Sequence, residues 1–166
     1  AIAHLGLGLT VLGIVATVSF GSEKILSMHA GETVALSGHT VRFAGLSPYK
    51  GPNYSEDRAA FEVLGDNGKV AGVIHSAKRF YPARQMATTE SGIRTIGFSQ
   101  LYISLGDEGD DGSVVVRLWW KPLVTLIWLG ALVMMVGGGM SLMDRRLRVG
   151  APSRRREKVR TVPVSS

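Results

Sequence analysis

The chain has 166 residues, enough for one modest domain, and carries a formal net charge of +6. Its mean hydropathy of +0.17 is high for a soluble protein in which 19% of the residues are charged, so the apolar residues must be unevenly distributed. The absence of cysteine excludes disulfides and thiolate metal sites.

The first 20 residues, AIAHLGLGLTVLGIVATVSF, contain no Asp, Glu, Lys or Arg. A membrane-spanning helix needs about 20 predominantly apolar residues, so this segment is long enough to cross a bilayer. A secretory signal is the alternative, but it would begin with basic residues and have a shorter apolar core of about 7–15 residues. We therefore predict a transmembrane helix over residues 1–20. Because the chain also lacks an initial methionine, we expect it to be the C-terminal part of a longer protein.

His4 lies within this apolar segment, where ionisable residues are rare and usually functional. A neutral imidazole is a common axial ligand of haem iron. Gly8 lies one helical turn from His4, and Gly6 and Gly13 are close by, so a flat macrocycle or another helix could approach the backbone. Three interpretations stay open: an iron ligand, an interhelical hydrogen bond, or a position in the headgroup region.

Residues 21–120 alternate in polarity over short runs separated by turn residues, a pattern typical of antiparallel strands. AFEVLGDNGKVAGVIH contains the hairpin signal Asp66-Asn67-Gly68, because Asn and Gly tolerate positive φ. QLYISLG and SVVVRLWW predict a further strand pair joined by the acidic loop 107–112, which lacks the ligand spacing of a calcium loop. We predict a small antiparallel barrel or sandwich of six to eight strands, with PYKGPNYSED as an ordered loop.

Three histidines in this domain, His29, His39 and His75, show no metal-binding spacing and are interpreted as surface or packing residues. The carboxylates Asp57 and Glu90 have no evident partner in the sequence. No catalytic residue is predicted.

The segment KRFYPARQMATTESG groups cations with aromatic residues. Lys78, Arg79, Tyr81 and Arg84 could contact a partner or haem, since arginine stacks on aromatic rings and clamps carboxylates in a bidentate manner. The alternative is a strand end, stopped by Pro82, whose basic side chains are simply solvated.

A second apolar segment, LVTLIWLGALVMMVGGGMSLM, predicts a transmembrane helix over residues 121–143. The tail that follows, residues 144–166, holds eight basic and two acidic residues and so carries the whole net charge. A basic run directly after a span holds that terminus in the cytoplasm, which makes residues 21–120 periplasmic in a bacterium. We expect a disordered tail that contacts anionic lipid and, having no interleaved aromatic residues, binds no nucleic acid.

The chain resembles the C-terminal region of the CcmF/NrfE family, the large membrane subunit of the cytochrome c haem lyase in bacterial system I maturation. The resemblance rests on AHLGLGLTVLGI, GPNYSEDRAAFEV, KRFYPARQMATTESGI, QLYISLGD and RLWWKPLVTLIWLGALVMMVGGGMSLMDRR. These segments occur in order and extend over nearly the whole chain.

The resemblance implies an inner-membrane, multi-pass protein that receives haem from the haem chaperone CcmE. With CcmH-type and CcmI-type subunits, such a lyase attaches the transferred haem covalently to the CxxCH motif of apocytochrome c. The family also holds a non-covalent haem b between two transmembrane histidines, and His4 matches one of them. The remainder of the same protein would supply the other ligand.

Several motifs of the family do not occur in this chain. The tryptophan-rich WWD segment, the two outward-facing haem-ligating histidines and the second transmembrane histidine of the family all lie upstream of the region that the chain resembles. This chain alone would therefore be an incomplete enzyme. The alternative function is a non-catalytic, membrane-anchored periplasmic binding or scaffold module that holds no haem.

Overall fold

The computed structural model describes residues 1–65 and 67–143 and contains two helices, nine strands and one 3₁₀ turn in that part of the chain. In chain order the elements are α1 Ile2–Ser19, β1 Ser22–Met28, β2 Thr33–Leu36, β3 His39–Lys50, β4 Ser55–Leu64, β5 Val70–Tyr81, the 3₁₀ turn Pro82–Arg84, β6 Met86–Glu90, β7 Gly92–Ile96, β8 Ser99–Glu108, β9 Val114–Lys121 and α2 Thr125–Met143.

The strands form two antiparallel sheets that face each other as a sandwich. One sheet has the order β1-β9-β8-β7, and the other has the order β2-β3-β4-β5-β6. Alternate residues of both sheets point inward, as expected for strands with one buried face. The core is built from aliphatic and aromatic side chains: Met28, Val34, Leu36, Val41, Phe43, Ala59, Phe61, Val63, Ile74, Leu101, Ile103, Leu105, Val114, Val116 and Leu118.

The predicted fold, two transmembrane helices flanking a small antiparallel β domain, is confirmed in this arrangement. The β8–β9 pair forms as the alternation predicted. The β4–β5 hairpin closes through hydrogen bonds between Gly65 and Lys69 (2.8 Å) and from Gly68 to Gly65 (2.8 Å). The Asp66 of that turn signal, and the whole predicted tail 144–166, lie outside the described residues.

Two local expectations differ from the structure. PYKGPNYSED is mostly strand, because β3 runs to Lys50 and β4 begins at Ser55, which leaves four residues for the turn. Strand pairing satisfies the backbone hydrogen bonds that an open loop would leave to water, and Pro48 is tolerated in the extended conformation. The described part of the chain contains nine strands instead of six to eight, because residues 86–96 divide at Ser91 into β6 and β7, which join different sheets.

The helices α1 and α2 are long and apolar enough to cross a membrane and pack against each other along their lengths. The second helix begins at Thr125 rather than at residue 121, because β9 continues to Lys121. All backbone groups within a bilayer must bond internally, which a helix achieves. The two helices enter and leave the sandwich side by side, so one end of the sandwich lies next to the membrane.

The opposite end of the sandwich projects beyond the hydrophobic core. At this end of the core, Phe43 of β3 forms backbone hydrogen bonds with Gly31 and Glu32, in the turn between β1 and β2. β3 then continues seven residues to Lys50, about 23 Å at the usual rise of a strand. We call this projection the distal arm, residues 47–58 and 78–90; it contributes no residue to the core cluster.

Candidate functional site

His4 lies in the first turns of α1, on the face that points away from α2. Its side chain is exposed among the described residues. At 100° per residue, Gly8 is about 40° from His4 around the helix, whereas Gly6 is about 200° away. A Cβ at Gly8 would meet nothing within 4 Å, so the surface beside the imidazole is open.

The other face of α1 is closed by α2 at backbone contact. A Cβ on Gly6 would lie 2.6 Å from the carbonyl oxygen of Gly130 and from the amide nitrogen of Met134. A Cβ on Gly130 would lie 2.5 Å from the carbonyl oxygen of Gly6. Small residues that let two helices approach in this way stabilise membrane helix pairs by close packing. The two glycines therefore have different roles. Gly6 allows α1 and α2 to pack at backbone distance, and Gly8 leaves open space beside His4.

One imidazole on an open, apolar helix face suits a haem b as one of its two axial ligands. The residue has room beside it for a flat group, and the neighbouring side chains on that face, such as Val11 and Val15, are apolar and half exposed. The described residues on this face of α1 would therefore fit a haem b for which His4 supplies one imidazole ligand.

The distal arm contains a charged cluster that surrounds one buried carboxylate. Glu56, on β4, has a side chain only 1% exposed. Its Oε1 accepts hydrogen bonds from Nε and Nη2 of Arg58, at 2.9 and 2.5 Å, and its Oε2 accepts one from Nε of Arg79 at 2.9 Å. A buried carboxylate needs this kind of pairing, because an unpaired buried charge is strongly unfavourable.

The ionisation of Glu56 is set by two opposing effects. Burial favours the neutral acid, but hydrogen bonds from Arg58 and Arg79 outweigh it and lower the pKa of the Glu56 carboxyl below its ordinary value. The Tyr81 hydroxyl and the Glu56 carboxylate raise the pKa of Arg79. Glu56 is therefore a fixed negative charge at neutral pH.

Tyrosine rings stack on the arginines of this cluster. The guanidinium of Arg79 lies 4.2 Å from the ring centroid of Tyr54, and that of Arg58 lies 4.5 Å from the centroid of Tyr49. The Tyr54 ring is also 5.8 Å from that of Tyr81. Cation–π contacts of this type are attractive when the cation is partly desolvated. The arm is thus held together by ions and aromatic rings in place of an aliphatic core.

The four residues singled out in KRFYPAR have different environments. Arg79 and Tyr81 belong to the Glu56 cluster, and Nη1 of Arg79 is 3.4 Å from the Tyr81 hydroxyl and 3.4 Å from Glu90. Lys78 pairs with Asp107 of β8 at 2.7 Å, which lowers the pKa of that aspartate. Arg84 is exposed in the 3₁₀ turn.

A cavity of about 530 Å³ opens at the tip of the distal arm. It is lined by residues 50–55, which include Lys50 and Tyr54, and by Pro82 and Ala83. Arg84 directly follows Ala83 in sequence. The tip therefore combines an apolar hollow with exposed cations.

The three remaining histidines are dispersed over the sandwich. His29 lies 3.7 Å from Glu32 and 3.6 Å from Asp111, in exposed pairs. His39 packs on Trp120 with ring centroids 4.5 Å apart, and His75 is exposed on β5.

The structure does not bring His4 and the distal arm together. His4 lies about 22 Å along α1 from Ser19, at 1.5 Å per residue. The arm begins beyond the core, at the end of the sandwich opposite the helices. Glu56 was not anticipated from the sequence, although Tyr54, Glu56 and Arg58 recur with the period of two that places residues on one face of a strand.

The fold and these two features define a class of protein: a membrane protein in which a β-sandwich is inserted between two apolar helices. The family model for the CcmF C-terminal beta-sandwich matches residues 19–122, and the chain belongs to that family. Its relatives are cytochrome c-type biogenesis proteins. It is 54% identical over 157 residues to CycK of Rhizobium meliloti, which covers 95% of this chain and 23% of that protein. It is 38% identical to CcmF of Pseudomonas aeruginosa over 94% of this chain and 24% of that protein.

A solved structure titled Cytochrome c Heme Lyase CcmF has the same fold, with a TM-score of 0.69 at 20% identity, over 86% of this chain and 24% of that one. The resemblance to the CcmF/NrfE family is therefore confirmed. The chain spans about a quarter of the length of the curated relatives that it matches.

Proposed function

We propose that this chain forms the C-terminal part of a cytochrome c haem lyase subunit in the bacterial inner membrane and supplies one axial ligand, His4, to a membrane haem b. The observation that carries this proposal is the exposed imidazole beside the open backbone of Gly8, on the face of α1 that α2 leaves free. The haem would supply one-electron chemistry at its iron. The chain's own contribution is to hold the imidazole at a fixed point of a rigid helix pair.

An optical spectrum of the purified full-length protein tests this proposal. We expect a Soret band and, on reduction, an α-band typical of haem b, both of which His4→Ala weakens or shifts. His29→Ala, which removes an exposed histidine of the sandwich, is the matched control and should leave the spectrum unchanged. An unaltered spectrum in His4→Ala would exclude His4 as the ligand. A full-length protein without any haem spectrum would favour the rival function, a scaffold module that holds no haem.

In this proposal, the basic charge after α2 determines on which side of the membrane the sandwich lies. The eight basic residues after α2 hold the C-terminus in the cytoplasm, which places the sandwich and its arm in the periplasm. A reporter that is active only in the periplasm, fused after Ser166, should be silent. Activity of that fusion would reverse the orientation.

In this orientation the distal arm extends into the periplasm, at the end of the sandwich opposite the two helices. We assign it the docking of other maturation components: the haem chaperone CcmE, CcmH-type and CcmI-type subunits, or apocytochrome c carrying the haem to be attached. The exposed cations Lys50 and Arg84 beside the tip cavity are suited to such contacts, whereas the charge of Arg79 is already directed at Glu56. Arg79 and Tyr81 therefore act as positioning residues that shape the arm.

A further inference from the structure

The turn between β7 and β8 is tied to the first turn of α2. The carbonyl oxygen of Phe98 accepts hydrogen bonds from the amide (3.2 Å) and the hydroxyl (2.7 Å) of Thr125. The hydroxyl of Ser99 accepts a third hydrogen bond, from the amide of Leu123 at 3.0 Å. The first N–H groups of a helix have no partner within the helix, so this turn completes the start of α2.

These hydrogen bonds fix the depth of the turn relative to the bilayer. The uncharged run that contains α2 extends from Pro122 to Met143, between Lys121 and Asp144 in the sequence. A membrane span needs about 20 apolar residues, so nearly the whole run is needed to cross and Thr125, close to its start, is placed near the boundary of the hydrocarbon. Phe98, bonded to Thr125, lies at the same level.

The side chain at this level is apolar and exposed. Phe98 is 56% exposed at the tip of the turn, where Gly97 adopts the positive φ of +60° that a tight turn requires. Trp128 is 72% exposed one helical turn further along α2, on the face that carries Thr125. That face points away from α1, because α1 packs on the side of Gly130.

The exposed apolar face of α2 continues beyond Trp128. Leu132 and Met135, 55% and 67% exposed, follow Trp128 on the same face of the helix. Lys121, the last residue of β9, precedes the first residue of α2 by four positions, and its ammonium group could contact lipid phosphates. Aromatic residues near the hydrocarbon boundary, with cations above them, are typical of contact with a lipid surface.

We propose that the β7–β8 turn is a lipid anchor, in which Phe98 inserts between phospholipid acyl chains just below the headgroups of the leaflet next to the sandwich. The anchor and the hydrogen bonds to Thr125 together hold the sandwich at a fixed height above the membrane. This site is independent of haem and of His4.

Single-cysteine labelling tests the anchor, since the chain itself contains no cysteine. Phe98→Cys in the full-length protein, reconstituted into phosphatidylcholine vesicles, is labelled with a fluorophore sensitive to polarity; the unsubstituted protein gives the labelling background. The exchange removes only a side chain, because the backbone carbonyl of Phe98 makes the hydrogen bonds. Ala83→Cys, at the tip of the distal arm, is the aqueous reference, and Leu132→Cys is the reference within the bilayer.

A quencher attached near the top of the lipid acyl chain should reduce the emission at position 98 at least about twofold more than at position 83. A quencher near the end of the acyl chain should act more strongly at position 132 than at position 98. Quenching at position 98 equal to that at position 83 would overturn the proposal. Emission at position 98 that neither the lipid-borne quenchers nor aqueous iodide reduces would also overturn the proposal, because the turn would then be covered by protein.

Discussion

The helix pair and the distal arm are stabilised by opposite means, and the contrast shows what each region can do. The two helices meet at backbone distance through Gly6 and Gly130, without any charged side chain. The arm has no residue in the hydrophobic core and depends on Glu56, its two arginines and the tyrosines over them. The tightly packed helix pair suits a side chain that must be held in one position. The charged arm, which is exposed to water, suits reversible binding of other proteins.

The largest expected effect is at the helix contact. Gly6→Ala places a methyl group 2.6 Å from backbone atoms of α2, so the helices must separate. We expect a loss of about 2–3 kcal/mol, as for overpacking elsewhere, seen as a lower midpoint of thermal unfolding of the purified protein. Gly8→Ala is the matched control, because its methyl group meets nothing within 4 Å. Equal midpoints in the two variants would contradict the backbone contact.

The next effect is at the buried carboxylate. Glu56→Gln removes the charge that Arg58 and Arg79 share, so the arm should open more easily, by about 1–2 kcal/mol. Backbone amides of the arm should then exchange hydrogen about 5- to 30-fold faster. Glu62→Gln is the matched control on the same strand: its pair with Arg42 is more exposed and should contribute less than about 1 kcal/mol.

The pH dependence of this effect has a defined sign. Because the folded state lowers the pKa of Glu56, its contribution is fully present above the ordinary value of 4.5 and is lost as pH falls through the lower folded value. The difference in exchange between wild type and Glu56→Gln should therefore shrink only below about pH 4.5. A difference that persisted unchanged in stronger acid would mean that the charge of Glu56 is not its cause.

The smallest effect on stability is expected at Arg84. Arg84→Ala should change the stability of the arm by less than about 0.5 kcal/mol, since the residue is exposed. If the arm docks an acidic partner, cells carrying the variant should nevertheless yield less mature cytochrome c. Lys69→Ala, another exposed cation but in the turn between β4 and β5, should leave the yield unchanged. A normal yield in Arg84→Ala would leave the arm's cations without a docking role.

The sequence predicted the main elements because each carries a strong local pattern. Uncharged runs of about 20 residues have few stable alternatives to a membrane helix. Alternation in QLYISLG and SVVVRLWW correctly predicted the β8–β9 pair, whose Leu101, Ile103 and Val116 are buried. PYKGPNYSED was misjudged because its Pro, Gly and Asn residues are typical of turns, while the strand pairing that overrides them is not local.

The candidate site also has features that the sequence indicated and features that only the structure showed. His4 was recognisable as unusual from its apolar surroundings alone, and its assignment as an iron ligand stays a prediction. That Gly6 faces α2 and Gly8 faces away could be known only once α2 was in place. The cluster around Glu56 was missed because Arg79 lies on β5, and only the register of β4 and β5 brings it to Glu56.

By itself, then, the sequence determined the two membrane helices, the alternating strands and the family, because these depend on hydropathy and on local patterns of residues. Only the tertiary structure showed which face of α1 is open. It also showed that Arg79 donates a hydrogen bond to Glu56 and that Thr125 donates one to Phe98. The physical reason is that such contacts join residues 23 or more positions apart, and long-range pairing is set by packing and register rather than by the order of neighbouring residues.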